Sequence, residues 1–445
     1  MTDAVAAEGP AASRNTYGWY VTAVLMIAYM FSFLDRQIMN LMVGPIRHDL
    51  GISDSEFAAL VGGAFGLFYA TVGVALGWLA DHYNRKVIVS LGVGAWSIMT
   101  ALCGLSGSYA RMFAARVGVA VGEATLSPSA YSMLADLFDK RTLPRAMGVY
   151  TFGIFLGVGL AYIVGGEVVA ALEAVPRITL PLVGTLHSWQ AVFLAVGLPG
   201  LLVAGWIATL REPQRHGNTQ RAPIIELFRF IGRSPAMWVA LFLGSAFYSV
   251  VSYADNWYPE LFIRTWGWDV KLSGRVNGIS SIIAGPLGLI FAGWYSSYLM
   301  SRGREDACLR LTAYGALAMG VCASVLPLMP TPWAMAAMLL PFKFLAGFPP
   351  VLITSAIQIV APNRLRAQLG AVFLLSVGVI GVSAGPILPA LLTDHVFHDD
   401  RALKYSLSVA TGLVCPIAFG LLWFGMRQYR QRVREALAPE ALAPG

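Results

Sequence analysis

Twelve stretches of this chain are each apolar over about the 20 residues a helix needs to cross a bilayer, and no other feature narrows the possible folds as far. They fall near residues 19–43, 56–80, 87–107, 110–135, 144–170, 189–210, 236–258, 273–299, 308–328, 333–359, 368–392 and 403–426. In lipid every backbone N–H and C=O needs a partner within the protein, so such segments span as α-helices. Composition agrees: 57% of the 445 residues are apolar and 12% are charged, about half the charged share of a soluble domain. A water-soluble globular protein and a disordered chain are thereby excluded. The predicted fold is an all-α membrane protein of twelve transmembrane helices.

The net charge of +7 makes the positions of the 31 Lys and Arg informative. With both termini placed in the cytoplasm, 20 of the 31 fall in inner connections and tails and 7 in outer segments, while Arg36, Arg111, Arg116 and Lys343 lie inside apolar runs. Cytoplasmic loops carry an excess of Lys and Arg, so this bias predicts both termini inside a plasma (inner) membrane and an even number of spans. The basic balance is thus a topology signal, and no nucleic-acid partner is expected. Residues 1–15 lack a basic stretch leading into a short apolar core, so the first apolar run is expected to stay in the mature protein. The tail sequence RQYRQRVREA reads as a basic amphipathic helix on the anionic inner leaflet. Cys103, Cys308, Cys322 and Cys415 sit singly inside apolar runs and read as packing residues. No metal-type spacing, phosphate-binding loop or catalytic triad is present, so no metal, cofactor or enzymatic activity is expected.

The longest internal polar connection, from about Arg211 to Ser234, divides the helices six and six. GWLADHYNRK at Gly77 has a degraded counterpart, GWYSSYLMSRGR, at Gly293, and RTLPRAMG ending at Gly148 is echoed by NRLRAQLG ending at Gly370. Internal similarity at a nearly constant offset predicts two pseudo-symmetric six-helix bundles, the architecture in which one bundle rocks against the other around a midplane site. The expected division is a disordered cytoplasmic tail over 1–18, bundles over 19–210 and 236–427, a cytoplasmic central loop over 211–235 and a cytoplasmic tail over 428–445. A monomer is expected.

Ionisable residues inside apolar runs are costly and mark function or a partner. Asp35 and Arg36 lie in the first run and Arg116 and Glu123 in the fourth, the latter two on one helix face nearly two turns apart. Counted from the outer end at 1.5 Å per residue, Arg116 is about 9 Å deep, Asp35 about 12 Å and Glu123 about 20 Å. Asp35 and Arg116 are therefore expected at matching depth, with Arg36 reaching Glu123, and the four form a candidate proton-coupling cluster. Lys343, about 15 Å deep in the tenth run, is a candidate for an anionic headgroup from the second half. Tyr248, Ser252, Asn256 and Asn277 are candidate cavity residues beside it. Asp255 is expected near the outer end of the seventh run, as an outer gate. Gly77, Asp81, Arg85 and Lys86, with the basic turn carrying Arg141 and Arg145, form a candidate inner gate. The pairs Gly62/Gly66, Gly73/Gly77 and Gly153/Gly157 are expected to mark close helix contacts, and Gly285-Pro286 and Gly385-Pro386 to mark bends.

The decapeptide from Gly77 to Lys86 resembles the loop-2/3 signature of the major facilitator superfamily, whose pattern has glycine where Asn84 stands. FLDR in the first helix, RVGVAVGEA, SAYSMLADLFDKRTLPRAMGVY and HSWQAVFLAVGLPGLLVAGWIATLREPQR resemble, within that superfamily, the spinster-type transporters. That resemblance implies proton-linked movement of lysophospholipids or sphingolipids, with Asp35, Arg36, Arg116 and Glu123 as the charged coupling cluster. The expected partners are then an amphipathic substrate, protons and membrane lipids. The anion/cation symporters, which move sugar acids and other small carboxylates, also carry an Asp-Arg pair in helix 1 and Gly-Glu-Ala in helix 4. A small dianion calls for convergent cations, and the second half offers Lys343 alone at depth, which favours the amphiphile.

Overall fold

The computed structural model describes residues 11–139, 142–175, 177–180, 184–215, 223–362 and 364–437, of which 11–15, 74, 81, 177, 178, 180, 224, 367 and 437 are described by their backbone alone. Among these, eleven helices are long and apolar enough to cross a membrane: α1 (Thr16–Leu41), α2 (Asp54–Ala80), α3 (Arg85–Gly104), α5 (Leu143–Glu173), α6 (Ser188–Ala208), α7 (Pro235–Trp266), α8 (Val270–Ser301), α9 (Ala307–Leu328), α10 (Pro332–Val360), α11 (Gln368–Phe397) and α12 (Asp400–Phe424). The twelfth, α4, is a broken rod made of Tyr109–Glu123 and Leu126–Leu137. Arg111, Arg116 and Glu123 lower its hydropathy and the turn at Ala124-Thr125 divides it, so neither piece qualifies alone.

Local chemistry sets the helix starts. Ser53 and Glu56 form a reciprocal capping box at the head of α2, and Asp269 and Thr331 cap α8 and α10 through the N–H groups of Leu272 and Ala334. Asn84 caps α3 by accepting from the Val87 N–H at 3.1 Å. The asparagine thus supplies a side-chain acceptor and needs no left-handed backbone.

Several expected boundaries move. Helix already begins at Ala11, so the disordered tail does not extend to residue 18. The central segment holds a linker helix, Ile224–Gly232, and a two-stranded hairpin (β1, Arg177–Leu180; β2, Gly184–His187) joins α5 to α6. The tail does form a helix, Met426–Leu437, but not one laid on lipid. Met426, Tyr429 and Val433 are buried against the protein, Arg430 and Arg310 both bind Asp306, and Arg434 binds Glu305. Burial pushes the Asp306 carboxyl up, yet hydrogen bonds from Arg310 and Arg430 outweigh it and leave it below its ordinary 3.8. A carboxylate lowered in the folded state stabilises above its ordinary value and stops doing so as pH falls through the lowered one. The tail helix should therefore stay docked at pH 5 and loosen only below 3.8. Hydrogen exchange across Met426–Leu437 reads this, and faster exchange between pH 7 and 5 would assign the docking to other contacts.

The two bundles meet along α2 against α11 and α5 against α8, contacts that the six-plus-six duplication makes equivalent. A Cβ on Gly62 would lie 2.5 Å from Pro386 Cγ and one on Gly66 2.6 Å from the Gly378 oxygen. One on Gly274 would lie 2.3 Å from the Tyr162 oxygen, and one on Gly278 2.6 Å from the Gly159 oxygen. Only glycine allows these approaches. Gly153 and Gly157 likewise seat α5 on Met26 and Met30 of α1, whereas Gly73 and Gly77 meet nothing nearer than Ala124 and Pro128 of their own bundle at 3.9 and 3.8 Å. That pair is not a close helix contact. Glycine-mediated contact between bundles ends at Gly378 with Ala70 and at Gly285 with Phe155. Among the described residues, no glycine between these positions and the end that carries the basic connections, hereafter the basic end, touches the other bundle.

Candidate functional site

Arg36 and Glu123 meet in the buried centre of the first bundle. Arg36 Nη2 donates to Glu123 Oε2 at 2.6 Å, and Ser32 Oγ donates to the same oxygen at 2.5 Å. The Arg36 guanidinium lies 3.9 Å from the Phe65 ring centroid and 4.5 Å from that of Phe33, held between apolar faces that favour a cation. Asp35, one residue away and about 100° around the helix, points instead to α3, where Thr100 Oγ1 donates to its Oδ2 at 2.9 Å.

Arg116 is fully buried, yet its strongest contact is Nε to the Leu60 carbonyl at 3.5 Å, and neither Nη1 nor Nη2 has a partner. Asp35 Oδ1 and Glu123 Oε1 are unpartnered as well. The matching depth of Asp35 and Arg116 therefore does not make them an ion pair here. The cluster holds one formed pair, one carboxylate on a hydroxyl and one guanidinium with open valences, so it can exchange partners.

A second polar layer crosses the bundle interface. Asn40 donates to Gln37 Oε1 at 2.6 Å and, across the interface, to Asn256 Oδ1 at 3.2 Å, while Tyr162 Oη donates to Gln37 Oε1 at 3.1 Å. Lys343 Nζ is paired with Asp255 Oδ2 and sits 5.9 Å from the Tyr162 ring centroid. Lys343 is thus a neutralised cation. Asp255 lies eleven residues, about 16 Å, inside the end of α7, because that helix runs on to Trp266 rather than stopping at 258. It is a mid-depth partner of Lys343 and not the outer gate expected of it. Tyr248 donates to the Leu345 carbonyl at 2.7 Å, Ser252 to Met319 Sδ at 3.7 Å and Asn277 to the Ser273 carbonyl at 2.9 Å, so these three are engaged within the second bundle.

The end opposite the basic one is closed by ion pairs between bundles. Arg264 of α7 grips the buried Asp54 of α2 with Nη1 at 2.6 Å and Nη2 at 2.8 Å, and its Nε binds Glu260 at 2.7 Å. Arg47 bridges Asp54 at 3.0 Å and Asp400 at 2.8 Å. Glu167 of α5 takes Lys271 and Arg275 of α8. Asp54, Asp394 and Asp400 bring carboxylate oxygens within 4.8 Å of one another, but Arg47, Arg264 and the Ser55 N–H occupy them. The cluster is a latch. In the sequence Asp54 reads only as an acid in a first helical turn, and its pairing 210 residues away carries no local signal. Arg264→Ala should open this end. A cysteine replacing Asn40 just beneath it should then react several-fold faster with a maleimide in detergent, and an unchanged rate would show that helix packing alone keeps it closed.

At the basic end Arg85 is buried and wholly occupied within the first bundle. It donates to Asp136 at 2.5 Å, Glu212 at 2.7 Å, Ser132 at 2.8 Å and the Pro213 carbonyl at 2.9 Å. The Lys86 N–H adds a bond to Glu212 at 2.9 Å. Arg145 is exposed, Arg141 lies outside the described residues, and so does the side chain of Asp81.

Two helical bundles, tied to each other by ion pairs at one end and enclosing buried charges at mid-depth, have the build of a membrane transporter. The chain belongs to the Major Facilitator Superfamily, whose sequence profile matches residues 25–386. It is similar to an MFS-type efflux pump of Mycolicibacterium smegmatis, 24% identical over 94% of each chain. A probable L-galactonate transporter of Escherichia coli is 24% identical over 63% of this chain and 62% of its own length. The fold also matches a crystal structure of a bacterial homologue of the human lysosomal transporter spinster, inward-facing and unoccupied, with a TM-score of 0.75 and 25% identity over 96% of this chain and 99% of that one. The chain is therefore a multi-pass integral membrane transporter, not an enzyme, and it resembles the spinster proteins.

Proposed function

We propose that this protein is a proton-coupled secondary carrier of an amphipathic, lipid-like substrate of the lysophospholipid or sphingolipid type. It acts as a monomer in the plasma membrane with both termini in the cytoplasm. In that orientation the ion pairs of Asp54, Arg264, Arg47 and Asp400 are the outer gate, and the basic end faces the cytoplasm. The inner latch, formed when the molecule faces outward, is assigned to Asp81 with Arg141 and Arg145, while Arg85 anchors its base. Asn256 and Lys343, at the bundle interface, are the substrate-facing residues of the second half.

The observation that carries the amphiphile reading is the Lys343–Asp255 pair. It leaves the second bundle without an unneutralised cation at depth among the described residues, which suits a substrate held largely by apolar contact. Similarity to the spinster homologue points the same way. The open valences of Arg116 support a second reading, symport of a small organic anion such as a hexuronate. Competition separates the two. Lysophospholipid should displace a fluorescent lipid from the purified protein and glucuronate should not; displacement by glucuronate alone would favour the symporter.

Proton coupling rests on partner exchange. A buried carboxylate that loses its guanidinium takes up a proton and releases it when the pair re-forms. Glu123 holds Arg36 in this conformation, and Asp35 and Arg116 are free to pair in another.

A further inference from the structure

The linker helix Ile224–Gly232 presents three sectors rather than two. At about 100° per residue, Leu227 and Ile231 mark one side and Phe230 lies next to them. Leu227 is 5% exposed and the Phe230 ring meets Trp238 of α7 at 5.8 Å, so this side packs on the second bundle. Ile225 and Phe228 mark the next sector, about 100–160° around from Leu227, and each is 62% exposed. Arg229, Arg233 and Glu226 occupy the third, with Glu226 paired at 2.5 Å to Arg364 in the connection between α10 and α11. An aqueous helix would not set two large apolar side chains in a continuous exposed sector between its protein-facing and charged sides.

The position of the helix identifies what meets that sector. Only Arg233 and Ser234 separate it from Pro235, where the membrane span α7 begins. That distance keeps it at the membrane surface. Its protein side is fixed by Trp238 and Arg364, so the apolar sector has lipid as its neighbour and the charged sector faces water and headgroups. We infer that the linker helix is an interfacial anchor, with Ile225 and Phe228 inserted among the acyl chains of the leaflet at the basic end and Arg229 and Arg233 held by anionic headgroups. The tail helix, the more obvious candidate by sequence, has Met426, Tyr429 and Val433 covered by protein instead. The connection between the two bundles is thereby tied to the bilayer as well as to the second bundle.

The test uses the full-length protein in nanodiscs of phosphatidylcholine with and without phosphatidylglycerol. Nitroxide labels at Ile225→Cys, Phe228→Cys and Arg229→Cys, each in a Cys322→Ser background, report collision with oxygen and with a water-soluble nickel chelate. Oxygen should dominate at 225 and 228 and nickel at 229, with a ratio differing several-fold between the two sets. Equal nickel access at all three positions means a water-facing helix, and labels at 225 and 228 shielded from both relaxants mean a protein partner; either overturns the assignment. The unlabelled protein gives an independent reading. Trypsin cleavage after Arg229 should slow several-fold when phosphatidylglycerol is included, and an unchanged rate would count against anionic headgroups.

Discussion

Arg85→Ala is expected to lower stability by about 3–5 kcal/mol, the usual cost of removing one member of a buried charge network. Arg85 is 1% exposed and its four partners come from α4 and the segment after α6, so the substitution withdraws the guanidinium that Asp136 and Glu212 share. Arg85→Lys should recover little of the loss, since an ammonium cannot span two carboxylates, a hydroxyl and a carbonyl as a planar fork does. Thermal unfolding in detergent measures both. A loop arginine serving only as a surface charge would cost less than about 1 kcal/mol, and a change that small would remove Arg85 from the framework of the first bundle.

A larger functional loss is expected at Glu123. Glu123→Gln keeps the shape of the side chain and can still accept from Ser32 and Arg36, so the bundle should fold. It cannot alternate between a proton and a guanidinium, however, so uptake driven by a pH gradient should fall to passive equilibration while substrate binding persists. Asp35→Asn should behave alike, since Thr100 can bond an amide oxygen as readily as a carboxylate. Arg116→Ala differs in kind. With no ion pair to break in this conformation, its stability cost is the loss of a buried side chain, and its transport defect should appear only in the step where Asp35 needs a partner.

The fold was legible because lipid imposes a single rule on the backbone. Runs of apolar residues, the basic bias and the echo of GWLADHYNRK are all local features, and they carried the architecture. The halting of α7 at residue 258 failed because Pro259 and Glu260 look like an end, whereas proline is tolerated in the first turn of the helical segment it opens. The buried charge cluster was legible as residues in the wrong solvent, but its wiring was only half so. Helical depth is a one-dimensional coordinate, so it could level Asp35 with Arg116 without showing that Thr100 on a third helix intervenes. The latch opposite the basic end was invisible for a related reason. Asp54 and Arg264 are ordinary charges near helix ends, and only the approach of α2 to α7 makes them a pair. Lys343 stood out in the sequence as a cation inside an apolar run, yet its pairing with Asp255 depended on where α7 ends.

Proteoliposomes holding the parent protein or Glu123→Gln, loaded with lysophospholipid and compared in counterflow and under an imposed pH gradient, test proton coupling most directly. Partner exchange at Glu123 predicts that both proteins support counterflow and that only the parent concentrates substrate against its gradient. Accumulation by Glu123→Gln equal to that of the parent would contradict it and leave the Arg36–Glu123 pair a structural strut.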